Sequence, residues 1–222
     1  MESFGALFDY LQAMIKERRS SSVAPDDMVS RLMRRPGRPL DQDEDDRQLV
    51  THIYQLMAAG YPTTACTIAI AIYRLLAERD LWRQVVADRS LISLAREEAL
   101  RYGSAIRSVF RTATRSVRLD DVEVPEGRRL VLSLESVNYD ELVFGDPGRF
   151  RLNRRRQTRR HLAFGTGVHL CLGLTLARTE IDIALTSLAR RLPTLELQPE
   201  FRPLWKPVGI LNGLQSVPVH LS

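Results

Sequence analysis

Apolar residues follow helical spacing along most of this chain, interrupted by one shorter stretch of alternating character. After Cys171, the residues Leu174, Ala177, Ile181, Ala184, Leu185, Leu188 and Leu192 recur every three or four positions until Pro193 ends the run, which predicts a helix with one buried face. From Leu49 to Tyr73 there is no Asp, Glu, Lys or Arg, and the segment is apolar nearly all round. Roughly 20 apolar residues suffice to span a membrane. This segment, however, holds His52, Gln55, Pro62, Thr51, Thr63, Thr64 and Thr67 between strongly charged flanks, so it reads as the buried central helix of a soluble protein, over residues 48–77. Residues 4–18 and 26–33 read as helix, and 40–46 as the link into the central helix. Residues 107–134, broken by Pro125-Glu126-Gly127, read as short strands and a turn. From Leu195 onward, prolines at 199, 203, 207 and 218 predict irregular chain with strand pieces. The expected fold class is mainly α with a small β-sheet.

Composition narrows the picture. A chain of 222 residues, 44% of them hydrophobic, can bury a substantial core, so one domain over 1–222 is expected. The net charge of +5 comes from arginine, since Lys16 and Lys206 are the only lysines. The run Arg154-Arg155-Arg156 with Arg159-Arg160 has no nucleic-acid-binding motif or interleaved aromatics beside it, so nucleic acid is not an expected partner. It reads either as a solvated loop or as a surface that steers an acidic protein. Cys66 and Cys171 have neither a zinc-site spacing nor a disulfide framework, which fits a reducing cytoplasm. The N-terminus has no secretory signal pattern, and no repeat or low-complexity tract occurs.

The chemistry concentrates at Phe164-Gly165-Thr166-Gly167-Val168-His169-Leu170-Cys171-Leu172-Gly173. One cysteine sits in a glycine-rich loop just before a helix. Glycines let the backbone turn sharply and approach a flat group closely. A helix N-terminus favours the thiolate over the thiol. Taken alone, a buried structural cysteine beside a glycine turn would account for the same residues.

The segment 161–178 closely resembles the cysteine loop of bacterial cytochrome P450 monooxygenases, and further landmarks of that family follow in order. Glu98-Ala99-Leu100-Arg101, in a predicted helix over 90–103, resembles the family's Glu-x-x-Arg pair. With an arginine matching Arg149 in Asp146-Pro147-Gly148-Arg149-Phe150, that pair implies a buried structural triad supporting the cysteine loop. Ala59-Gly60-Tyr61-Pro62-Thr63-Thr64 resembles the oxygen-binding bend of the central helix. Thr63 falls on the family's alcohol position, but Pro62 stands where the family has an acid. The resemblance implies haem b bound by the Cys171 thiolate, which is also the metal ligand. Phe164, Gly165 and Gly173 would lie against the haem, His169 and Arg111 on its propionates, and Thr63 would have a catalytic part near dioxygen. Asn138-Tyr139-Asp140 stands where the family commonly reads Asn-Arg-Asp.

Family members are about twice as long, so the resemblance implies the C-terminal half of the P450 fold, with the cysteine loop and following helix over 161–192. Three readings follow. The first is a cytoplasmic haem-thiolate monooxygenase, served by a ferredoxin-type donor and an NAD(P)H reductase, acting on a small lipophilic substrate and completed by an N-terminal chain. The second is an inactive remnant. The third is a non-catalytic interaction protein. None of them involves a membrane.

Overall fold

The computed structural model describes residues 2–21, 25–34, 42–154, 160–206 and 209–221. The chain divides into two compact units, Met1–Tyr61 and Pro62–Ser222.

In the first unit, helix α1 (Glu2–Ser20) and the short α2 (Met28–Met33) pack with the first part of α3 (Gln42–Ala77). Their shared core is Leu11, Ile15, Leu49, Val50 and Ile53, with Phe8 and Tyr54 in ring contact at 5.1 Å. Asp27 caps α2 by accepting the Ser30 N–H at 2.9 Å and also accepts from Arg18. The backbone hydrogen bond from Ser30, followed by the Arg18 guanidinium, pulls the Asp27 pKa down to about 2. Arg19 donates to Asp46 at 2.7 Å and Asp45 at 2.6 Å, tying α1 to the acidic first turn of α3. The predicted link over 40–46 is therefore helical from Gln42 onward, while residues 40 and 41 lie outside the described residues.

Helix α3 passes through Pro62 without a break. It is not buried all round as its composition predicts. Leu56, Met57 and Tyr61 are exposed, Tyr61 at 79%. The first unit's core engages α3 only as far as Tyr54, which leaves the next two turns uncovered. By length and composition alone, Asp43–Ala77 is the one described helix that could cross a membrane.

The second unit is built around α5 (Ile92–Gly103) and α7 (Leu174–Arg191), which pack together with α4 (Arg79–Ala87) beside them. A 3-10 turn at Arg89–Leu91, capped by Asp88, leads into α5. Ala71, Leu75, Trp82, Val85, Ala95, Ala99, Ile181 and Leu185 form the apolar core. Gly103 lets the end of α5 lie close against Ile70 of α3, since a Cβ there would lie 3.0 Å from Ile70 Cδ1. The predicted strand region resolves into β1 (Ser108–Thr112) paired antiparallel with β4 (Arg129–Ser133), and β2 (Val117–Leu119) paired with β3 (Val122–Val124). Gly127, at φ +77°, makes the turn between β3 and β4. The short α6 (Leu134–Asn138) follows. In the tail, β5 (Leu195–Leu197) pairs with β6 (Val219–Leu221). Asn212 fixes the intervening chain to the end of α5 by donating to the Gly103 carbonyl and accepting from Arg107. The fold is mainly helical as expected, and its small β component takes the form of three two-stranded sheets among the described residues.

Candidate functional site

The cysteine loop is held by its own backbone. The Cys171 N–H donates to the Phe164 carbonyl at 3.0 Å, Gly165 N–H to Leu162 at 2.9 Å, and Leu170 N–H to Gly167 at 3.0 Å. Gly165 (φ +67°) and Gly167 (φ +73°) take left-handed conformations that side chains disfavour, so glycine is required at both turns. Gly173 has an ordinary φ of −85° and is the N-cap of α7, so its value lies in space rather than conformation. A Cβ there would lie 4.0 Å from Cys171 Sγ. The Cys171 thiol is free and exposed.

Two adjacent carboxylates of α5 support this loop from within. Glu98 and Arg101, both fully buried, form a forked pair, with Nε donating to Oε2 at 2.9 Å and Nη2 to Oε1 at 2.8 Å. Glu98 Oε1 also accepts from Arg154 Nε at 3.0 Å and from the Arg151 N–H at 3.0 Å. Arg101 reaches the Asn138 carbonyl at 2.9 Å, and the Asn138 side chain accepts the Leu162 N–H at 2.7 Å. A continuous polar path therefore runs from Glu98 through Arg101 and Asn138 to the start of the cysteine loop.

The structure alters the predicted triad at one member. The second arginine on Glu98 is Arg154, while the Arg149 side chain is exposed and only its carbonyl contributes, accepting from Arg101 and Arg154. The turn through Asp146 to Arg149 directs the Arg149 side chain outward and brings Arg154 back over Glu98, where it also donates to the carbonyls of Gly145 and Asp146. Arg154 is consequently no part of a solvated arginine run. Of the other members, Arg160 is exposed, and Arg155, Arg156 and Arg159 lie outside the described residues.

Sequence reasoning missed Glu97. Arg96 donates to it at 2.7 Å, Arg178 of α7 forks onto it at 2.8 and 2.9 Å, and His161 donates at 3.1 Å. The Ala163 N–H donates to His161 Nδ1, which leaves the ring proton on Nε2, facing Glu97. Burial opposes ionisation of Glu97, but the bonds from His161, Arg178 and Arg96 outweigh it and hold the carboxyl well below the usual range. The Arg178 guanidinium in turn lies 4.9 Å over the Phe164 ring. Two consecutive acids in a helix otherwise buried through Ala95, Ala99 and Leu100 were the available signal.

The remaining candidates lie apart from this network. The Thr63 carbonyl, one helical residue beyond Pro62, accepts from Thr67 Oγ1 at 3.0 Å. Arg111 is exposed on β1, its guanidinium turned back to the Phe110 carbonyl. His169 is exposed in the 3-10 turn Gly167–His169.

The residues around Cys171 fit a haem. The exposed thiol is flanked by large uncovered apolar side chains, Val168 at 98% and Leu172 at 89% exposure, with Leu170 and Leu176 nearby, and the bare Gly173 backbone lies beside the sulfur. A flat apolar macrocycle held through one sulfur would use all of these. Among the described residues no cluster of three or more His, Cys, Asp or Glu is set to hold a metal ion without such a macrocycle.

Comparison with known proteins agrees. The family model for cytochrome P450 matches residues 84–204. The chain is 34% identical over 219 residues to a steroid C26-monooxygenase of Mycolicibacterium smegmatis, covering 99% of this chain and 53% of that protein. It is 38% identical over 193 residues to the cyclomarin C epoxidase CymV of Salinispora arenicola, covering 86% and 47%. Among solved structures, CYP109E1 from Bacillus megaterium in complex with corticosterone superposes with a TM-score of 0.88 at 29% identity, covering 100% of this chain and 58% of that one. The P450 monooxygenase TamI with bound tirandamycin C gives 0.86 at 33% identity, covering 98% and 54%. The chain spans about half the length of the curated relatives it matches. With its motifs, its fold and these matches in agreement, the chain belongs to the cytochrome P450 family.

Proposed function

We propose that this chain is a haem-thiolate monooxygenase-type protein, inserting one atom of dioxygen into a small lipophilic substrate. The observation that carries the reading is the exposed Cys171 thiol in a backbone-locked loop, flanked by Val168 and Leu172 and supported from α5. Cys171 would hold the haem through its sulfur, His169 and Arg111 would meet the propionates, and Phe164, Gly165 and Gly173 would line the same side. Bound haem would supply one-electron and dioxygen chemistry. The protein's own contribution is to hold the sulfur, bind the propionates by charge-assisted hydrogen bonds, and manage protons through Thr63. Pro62 offers no proton donor at the neighbouring position, so protons reach the site less efficiently than an acid would deliver them.

Electrons come from NAD(P)H through a ferredoxin-type protein in the cytoplasm. The steroid named for one relative and the corticosterone bound to CYP109E1 make a steroid the first substrate probe. The test is turnover of haem-loaded protein with ferredoxin, reductase, NADPH, corticosterone and isotopically labelled dioxygen. Labelled product that disappears in Cys171→Ala supports the reading. Neither product nor NADPH consumption would contradict it and favour the inactive remnant, a reading that Pro62 in the acid position already supports.

A further inference from the structure

We infer that Glu97 is a positioning residue that clamps both ends of the cysteine loop and so sets where the Cys171 sulfur stands. The inference rests on the haem-thiolate reading for its significance, though not for its geometry. Glu97 and Glu98 are neighbours on α5, yet their side chains leave the helix in different directions and engage different partners. Glu98 holds Arg101, Arg154 and the backbone of Arg151. Glu97 holds His161, at the start of the loop, and Arg178, in the first turns of the helix that follows it. One carboxylate thus joins the two points between which Cys171 is strung.

All four hydrogen bonds to Glu97 lie between 2.7 and 3.1 Å, and the carboxylate is 3% exposed. Each oxygen accepts two of them, one of each pair from the rigid Arg178 fork, so the separation of α5 and α7 at this level is fixed by bidentate geometry. Arg96 extends the arrangement by bonding both Glu97 and Asp182, one turn farther along α7. Stacking of Arg178 on Phe164 carries the constraint into the loop itself, because the Phe164 carbonyl accepts the Cys171 N–H. A network needed only for core stability could close on any pair of elements. This one closes on the two flanks of the thiol.

Glu97→Gln keeps the shape but removes the charge and one acceptor. The test compares the haem-free native chain and variant by amide hydrogen exchange, following the loop amides of Gly165, Leu170 and Cys171 against reference amides of Ser104 and Arg151. In the variant the loop amides should exchange about tenfold faster or more while the reference amides keep their rates, the pattern of local rather than global opening. In haem-loaded protein, the same variant should convert part of the thiolate-type reduced carbon monoxide spectrum to the thiol type. Unchanged loop exchange, or an equal acceleration of loop and reference amides, would overturn the clamp. Should Glu97→Gln not fold, Arg178→Lys, which keeps the charge and loses the fork, is judged by the same comparison. Failure of the native chain to take up haem would defeat the haem-thiolate reading, while the exchange data would still decide the clamp.

Discussion

Arg154 and Arg149 separate what a side chain contributes from what a position in a motif suggests. Arg154 places its guanidinium on the fully buried Glu98, whereas Arg149 lends only a carbonyl to the same cluster. Breaking a buried, hydrogen-bonded charge pair typically costs about 3–5 kcal/mol, while an exposed side chain away from such features is usually within about 0.5 kcal/mol. Arg154→Ala should therefore lower the urea midpoint strongly and Arg149→Ala hardly at all. Equal effects would restore Arg149 to the triad. The sequence shows both arginines equally well, because the choice depends on how the chain turns between Gly145 and Arg154.

Glu97 makes a second prediction at this scale. Its folded pKa is depressed, so its contribution to stability is complete above the ordinary glutamate value of about 4.3 and is lost as pH falls below it toward the folded value. Native stability should rise with pH through the acid range, and Glu97→Gln should flatten that slope in urea melts taken at successive pH values. An unaltered slope would contradict the assignment. The glycine turns beside Cys171, by contrast, were legible in the sequence, since Gly165 and Gly167 make the sharp turns expected there, both in left-handed conformations.

Among the elements, the helices around the loop were the most legible and α4 the least. The spacing of Leu174, Ile181, Leu185 and Leu188 predicted α7 nearly to its ends, because one face packs on α5 and the other meets solvent. Helix α4 went unread, although Leu81, Trp82, Val85 and Val86 gather on one side of it. It is short, and charged residues fill its other face. Helix α3 defeats a composition argument, since its apolar stretch is partly uncovered. Within it, Pro62 continues the helix while supplying no side-chain proton donor. In haem-loaded protein, a large share of the NADPH consumed should yield peroxide rather than product, and Pro62→Asp should reduce that share. A peroxide share unaffected by the new acid would show that protons do not pass through this part of α3.

At the scale of the whole molecule, large apolar side chains stand uncovered in each of the two units. Leu56, Met57 and Tyr61 on α3 and Val168 and Leu172 on the loop are exposed in a chain that spans about half the length of its relatives. That half was readable because its motifs are short, local and ordered along the chain. Substrate choice was not, because it is set by the shape of a pocket. The buried polar framework from α5 to the loop is complete within this chain, and for that reason the thiol site should form from these residues. The most direct measurement is the reduced carbon monoxide difference spectrum of the native chain and Cys171→Ala, each reconstituted with haem b. A strongly red-shifted Soret band in the native protein that is absent from the variant is the predicted result. An unshifted band, or haem uptake indifferent to Cys171, would contradict thiolate ligation by this loop.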